Sequence, residues 1–119
     1  MLSQDIRYNA SEETMSNQLA IGCDNLVWWE YPEDAVDGSS IGSDATGTVT
    51  VKDSTDSEVT GAIDLAATYD AGPPIRYYAT IPNTVDLTEG STYYVEFTLT
   101  SSAGLHGFRR KAYTAEYAD

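Results

Sequence analysis

Apolar and polar positions alternate along most of the chain. Leu26-Val-Trp-Trp-Glu-Tyr31 is dense in β-favouring residues and stops at Pro32. Val49 and Val51 share one face, with Thr48, Thr50 and Lys52 on the other. Val59, Ile63, Leu65 and Tyr69 recur with even spacing, and Ile75, Tyr77, Ala79 and Ile81 alternate with Arg76, Tyr78 and Thr80. Tyr93, Val95, Phe97 and Leu99 alternate with Tyr94, Glu96, Thr98 and Thr100, and Phe108–Tyr117 forms a final, more polar run. A period of two places successive side chains on opposite faces of a strand and is hard to obtain from helices. Turn clusters separate the runs: Asp53–Ser57, Asp70–Pro74 and Ser101–Gly107 around Gly104. Residues 32–46 are rich in acids, Gly and Ser and read as a long loop or weak edge. Such runs predict an all-β fold, an antiparallel Greek-key β-sandwich of about seven strands.

The start of the chain breaks this pattern. Residues 1–24 are predicted to be an N-terminal extension, and residues 25–119 the sandwich. Asn9-Ala-Ser-Glu12 resembles a capping box, and Met15 and Leu19 stand four apart before Gly22, which allows a short helix over about 12–20. The Ser, Thr and Asn content allows an extended arm equally well.

Leu87-Thr-Glu-Gly90-Ser-Thr-Tyr93 has the spacing L-x-x-G-x-x-Y directly before a strongly alternating run. That is the pattern of a tyrosine corner, in which a buried ring satisfies its hydroxyl on backbone a few residues upstream. Leu87, Gly90 and Tyr93 are therefore expected to be structural. The adjacent pairs Trp28/Trp29, Tyr77/Tyr78 and Tyr93/Tyr94 send one ring inward and one outward in a strand. This predicts an aromatic outer face, covered by the N-terminal segment, by a neighbouring subunit, or stacked on a sugar.

Charge narrows the partners. The 119 residues carry 19 acids against 6 bases, a net charge of −13. A nucleic-acid surface and docking on an anionic membrane both need a basic patch, so neither is expected. No apolar run reaches the ~20 residues of a membrane-spanning helix, and the first residues lack the basic start and apolar stretch of a signal peptide. Between Arg7 and Lys52 stand eight acids and no base, whereas Arg109, Arg110 and Lys111 hold half of all the bases. Solvated surface explains both features. Head-to-tail assembly, acidic segment against basic cluster, explains them too. On that second reading, glutamates at all three basic positions would leave the fold intact and weaken assembly.

Candidate chemistry is sparse. His106 is the sole histidine and sits in a Gly-flanked turn, where it reads as a loop residue. Cys23 is the sole cysteine, so no internal disulfide exists, and it reads as a small buried apolar residue. No nucleophile–base constellation or phosphate-binding Gly-rich loop is recognisable, so no enzyme, cofactor or resident metal is expected. Asp53, Asp56 and Glu58, and separately Glu33, Asp34 and Asp37, are weak calcium candidates without EF-hand spacing; turn formation explains them as well.

The stretches Thr48–Asp53, Val59-Thr-Gly61, Ile81-Pro82, Leu87–Val95 and Phe108-Arg-Arg-Lys111 together resemble small immunoglobulin-like domains of tailed bacteriophages. Such domains occur in baseplate upper proteins and in proteins of the head–tail region. Leu87–Gly104 also resembles the corresponding corner of fibronectin type III domains. The resemblance covers about residues 45–117 and lacks the cysteine pair of antibody domains. It implies an Ig-like, non-enzymatic virion component made in the host cytoplasm. Its partners would be capsid, portal, connector or tail subunits in multiple copies. It would sit at the neck or on the capsid as a cement or decoration protein. The expected interface residues are Trp28, Trp29, Tyr78, Tyr94, Arg109, Arg110 and Lys111. A secreted or surface binding module for carbohydrate or adhesion is the alternative. Fold alone does not decide between them.

Overall fold

A computed structural model of the chain describes residues 17–117. Among the described residues eight strands form: β1 (Gln18–Ile21), β2 (Asn25–Glu30), β3 (Thr46–Lys52), β4 (Leu65–Ala66), β5 (Thr68–Asp70), β6 (Arg76–Ile81), β7 (Thr92–Thr100) and β8 (His106–Tyr117). They build a five-stranded sheet, β1-β8-β7-β3-β4, facing a three-stranded sheet, β2-β6-β5. This is the strand order of an immunoglobulin-like sandwich, with β3, β7 and β8 as the C-F-G side and β2, β6 and β5 as the B-E-D side.

The alternating runs make the core. Val49, Val51, Val95, Phe97 and Leu99 point inward from the five-stranded sheet, and Val27, Tyr77, Ala79 and Ile81 from the three-stranded one. Burying an aliphatic or aromatic side chain of this kind stabilises by about 1.5–3 kcal/mol. The Tyr93 ring is buried, and its hydroxyl accepts a hydrogen bond from the Thr88 amide at 2.8 Å. Leu87 is buried beside it, and Gly90 turns the backbone at φ 81°, a conformation that costs glycine little. This is the geometry that a tyrosine corner requires, and it ties the link between the sheets to the start of β7.

Four sequence expectations change. First, β1 lies inside the supposed N-terminal extension, and Leu19 is 1% exposed in the core. Residues 18–21 are therefore strand rather than helix, and the sandwich begins before residue 25; residues 12–16 lie outside the described part. Second, β1 runs parallel to β8, so the sheet is not wholly antiparallel. Third, the run Val59–Tyr69 is not one strand. Gly61 turns the chain at φ 89°, Ile63 is exposed, and the chain changes sheets between β4 and β5. Fourth, Cys23 is exposed, because it sits in the turn that joins β1 to β2 across the two sheets.

The acid-rich loop, residues 32–45, runs up to β3 without a strand of its own and is held down from several sides. Glu33 bridges Ser40, Ile41 is 2% exposed, and the Ile41 amide donates to Pro32. The buried Tyr77 hydroxyl donates to the Gly42 carbonyl and accepts from the Ala45 amide at 3.1 Å. Burial pushes the Tyr77 phenol above its ordinary pKa. Tyr77 thus acts as a second tyrosine anchor, one whose partner lies more than thirty residues away and left no local signal.

Candidate interaction surface

Strand alternation separates Trp28 from Trp29. The Trp29 ring turns inward and meets Phe97 edge-on, with centroids 6.3 Å apart. It also lies over Gly107, where an added Cβ would stand 2.6 Å from Ile41 and 3.0 Å from the Trp29 ring. Only glycine at 107 allows this approach. Trp29 is therefore a packing residue, half-buried, with part of its ring on the wall of the seam beside Arg109 and Lys111.

Trp28 points outward from the three-stranded sheet and is 40% exposed. Its cross-strand partner is Tyr78, and exposed Leu26 lies on the same face. The Arg76 guanidinium stands 5.3 Å from the Trp28 ring and is held by Asp70 at 2.9 Å. The Gly72 amide and Arg76 keep the Asp70 carboxyl below its ordinary pKa. Leu26, Asp70, Arg76 and Tyr78 border an open groove of about 490 Å³. Ile75 and Tyr31, both exposed, extend the apolar surface at its end, where the Tyr31 amide donates to the Ile75 carbonyl.

Tyr94 lies elsewhere, on the outer face of the five-stranded sheet, so the three outward aromatics do not form one row. Arg110 stacks on the Tyr94 ring at 4.0 Å. The same guanidinium donates to Glu96 at 2.7 Å and to Asp56 at 2.8 Å. Lys52 reaches the other Glu96 oxygen at 3.4 Å. Hydrogen bonding to Arg110 holds the Asp56 carboxyl below its ordinary pKa, and the Arg110 pKa is raised in turn, first by Asp56.

The basic cluster is also divided. Arg109 and Lys111 pair with Phe97 and Val95 on the inward side of β8, whereas Arg110 pairs with Glu96 on the outward side. A contiguous patch in sequence becomes two sites because strand neighbours face opposite ways. The expectation that glutamate at all three positions spares the fold is therefore corrected at Arg110, where it would set a third carboxylate beside Glu96 and Asp56.

Arg109 and Lys111 line an open seam between β8 and β2, with Trp28, Tyr113 and Gln18 also on its walls. The seam encloses about 400 Å³. β2 is the end strand of its sheet.

Of the calcium candidates, Asp53 is held by its own turn, Asp56 by Arg110, and Asp34 by its turn and by β8. Asp53 accepts from the Thr55 hydroxyl and from the amides of Ser57 and Thr55, and these bonds, the hydroxyl's first, hold its carboxyl below its ordinary pKa. Asp34 is 8% exposed and accepts from the His106 amide at 2.7 Å and from the Val36 and Asp37 amides at 3.0 Å. The His106 amide is the leading cause of its lowered pKa. Among the described residues, no group of three or more His, Cys, Asp or Glu side chains is placed to hold a metal ion. His106 is the first residue of β8, paired with Thr100, rather than a loop residue.

Compared with protein-family models, curated proteins and solved structures, the chain matches none.

Proposed function

We propose that the protein is a non-enzymatic structural and assembly component of a tailed-phage virion, docking on neighbouring subunits at the head–tail junction or on the capsid as a cement or decoration protein. The sequence resemblance supports the virion setting, and the sandwich is of the kind that resemblance implies. The observation that carries the docking role is the outer face of the three-stranded sheet, where Leu26, Trp28 and Tyr78 stand together with Ile75 and Tyr31 at its end. Exposed apolar surface collected on one face marks contact sites. The solution mass, measured with and without capsid, portal or connector proteins, tests the reading. Association that is lost in Trp28→Ala is the expected outcome, and a strict monomer that never binds such particles overturns it.

A carbohydrate-binding module is the second reading, favoured by one observation. Trp28 offers a ring flanked by Arg76, Asp70 and Glu30, a stacking surface beside hydrogen-bonding groups. A glycan array separates the two, since a virion cement shows no sugar preference.

A further inference from the structure

Among the described strands, four stand at the ends of the two sheets, and three of these are short or capped. β4 has two residues and β5 three. The free edge of β1 is closed at Ala20 by the Asn25 side chain, which accepts from the Ala20 amide at 2.8 Å and donates to the Ala20 carbonyl at 3.0 Å. The fourth, β2, is six residues long and carries no proline, lysine or arginine. Edge strands are ordinarily shortened, charged or covered, because their unpaired backbone groups are a template for another strand.

The β2–β6 ladder decides which groups β2 leaves free. The Tyr31 amide donates to the Ile75 carbonyl, the next pair in the register of these strands. Opposed residues in an antiparallel ladder alternate between bonded and non-bonded pairs. Trp29 and Val27 therefore also bond to β6, and Leu26, Trp28 and Glu30 turn their N–H and C=O groups away from it. None of these six groups hydrogen-bonds to a described residue. They span about 14 Å at the ordinary strand rise.

The seam of about 400 Å³ runs beside this edge, with Arg109 on its wall. Arg76 and Arg110 are each held by carboxylates. Arg109 is half-buried and makes no hydrogen bond or ion pair with any described residue. A guanidinium so placed has five donors, reduced solvation and no counter-charge. A strand laid on β2 points alternate side chains into the seam, beside Val27 and Trp29, and the others outward, beside Leu26 and Trp28. A carboxylate at an inward position meets Arg109, and apolar groups at the outward positions continue the Leu26–Trp28 surface. β2 of a second copy does not supply this. Its inward residues are Val27 and Trp29, and its one acid, Glu30, has the outward parity of Trp28. We propose that β2 accepts an added strand from another protein, an acidic extended segment of about five residues whose inward carboxylate pairs with Arg109. The ladder supplies affinity and the carboxylate supplies specificity. This inference goes beyond the virion reading, since it uses the strand edge rather than the outer face and requires no virion partner.

Two measurements on the full chain test it. In amide hydrogen exchange of the free protein, Leu26, Trp28 and Glu30 are expected to exchange at least tenfold faster than Val27 and Trp29. Equal protection overturns the open edge. Binding is then read from amide NMR shifts on titration with the acetylated and amidated peptide VTVEVTV, with VTVKVTV as its control. The acidic peptide is expected to move the Leu26, Trp28 and Glu30 amides and the Arg109 Nε–H, and to bind at least tenfold more tightly than the control. Arg109→Glu is expected to reverse that preference. Arg109→Gln, the milder change should the first variant fail to fold, is expected to erase it. No shift at millimolar peptide, equal binding of the two peptides, or a preference that survives both variants overturns the proposal. Shifts confined to Arg76 and Tyr78 overturn it as well and assign the binding to the outer face. If the three edge amides move with protein concentration alone and the solution mass doubles, the outside partner is overturned and the edge belongs to a second copy.

Discussion

The two outer faces of the sandwich begin from the same device and end differently. Each sets an aromatic ring under an arginine, Tyr94 under Arg110 on the five-stranded sheet and Trp28 under Arg76 on the three-stranded sheet. On the five-stranded face, Arg110 is bound by two carboxylates, one of them the 9%-exposed Glu96, which Lys52 also reaches. That surface is satisfied by its own groups. On the three-stranded face a single carboxylate holds Arg76, and Leu26 beside Trp28 is half exposed with no polar function. Saturated charge keeps a face in solvent, while aromatic and aliphatic groups left together favour a partner.

The largest effect expected from breaking this comparison comes from the tryptophans. Trp29→Ala removes a ring packed on Phe97 and is expected to cost about 3–5 kcal/mol in chemical denaturation. Trp28→Ala is expected to change stability by less than about 1 kcal/mol while weakening association. A Trp28→Ala loss as large as that of Trp29→Ala would mean that both rings serve the core.

Glu96→Gln tests the satisfied face. It removes the charge that Arg110 and Lys52 share and is expected to cost about 1.5–3 kcal/mol, the range for hydrogen bonds to charged groups. Association should be unaffected. Tyr93→Phe, which leaves the Thr88 amide without its acceptor, is expected to cost about 1–2 kcal/mol by the same measurement.

Acid separates the carboxylates held by hydrogen bonds from those in open solvent. Asp34, Asp44, Asp53, Asp56 and Asp70 all have folded-state pKa values below the ordinary 3.8. A depressed carboxylate adds stability that is fully present above the unfolded-state pKa and is lost as the pH falls through the folded-state value. Wild-type stability relative to Asp34→Asn should therefore be constant above about pH 5 and shrink below about pH 4. A difference that grows on acidification would reverse the assigned sign. The smallest effect is expected at Arg76→Ala, whose partly exposed pair with Asp70 contributes about 0–1 kcal/mol. Its consequence should appear in association, through the uncovered Trp28 ring.

Much of the architecture was legible locally. The strands from Leu26, Val49, Arg76, Tyr93 and Phe108 follow from period-two alternation, and the spacing of Leu87, Gly90 and Tyr93 marked where the chain turns into β7. Legibility failed where the decisive contact was distant. Gly61 and Asp64 carry positive φ inside an apparently even run, so Val59–Tyr69 splits and changes sheets. Cys23 has the composition of a buried residue and the position of a turn. The loop 32–46 looked weak because its anchors, Tyr77 and His106, lie in other strands.

The sequence by itself determined that the chain is all-β, where most strands run, and that the two members of each aromatic pair face opposite ways. These are properties of adjacent residues, and backbone stereochemistry enforces them without reference to the rest of the chain. Which sheet each strand joins was decided only in the tertiary structure. That choice put Tyr94 and Trp28 on opposite faces, gave Arg110 two carboxylates, and turned Arg109 and Lys111 toward the seam. Pairing between strands is set by contacts distant in sequence, so three consecutive basic residues can read as one patch and fold into two.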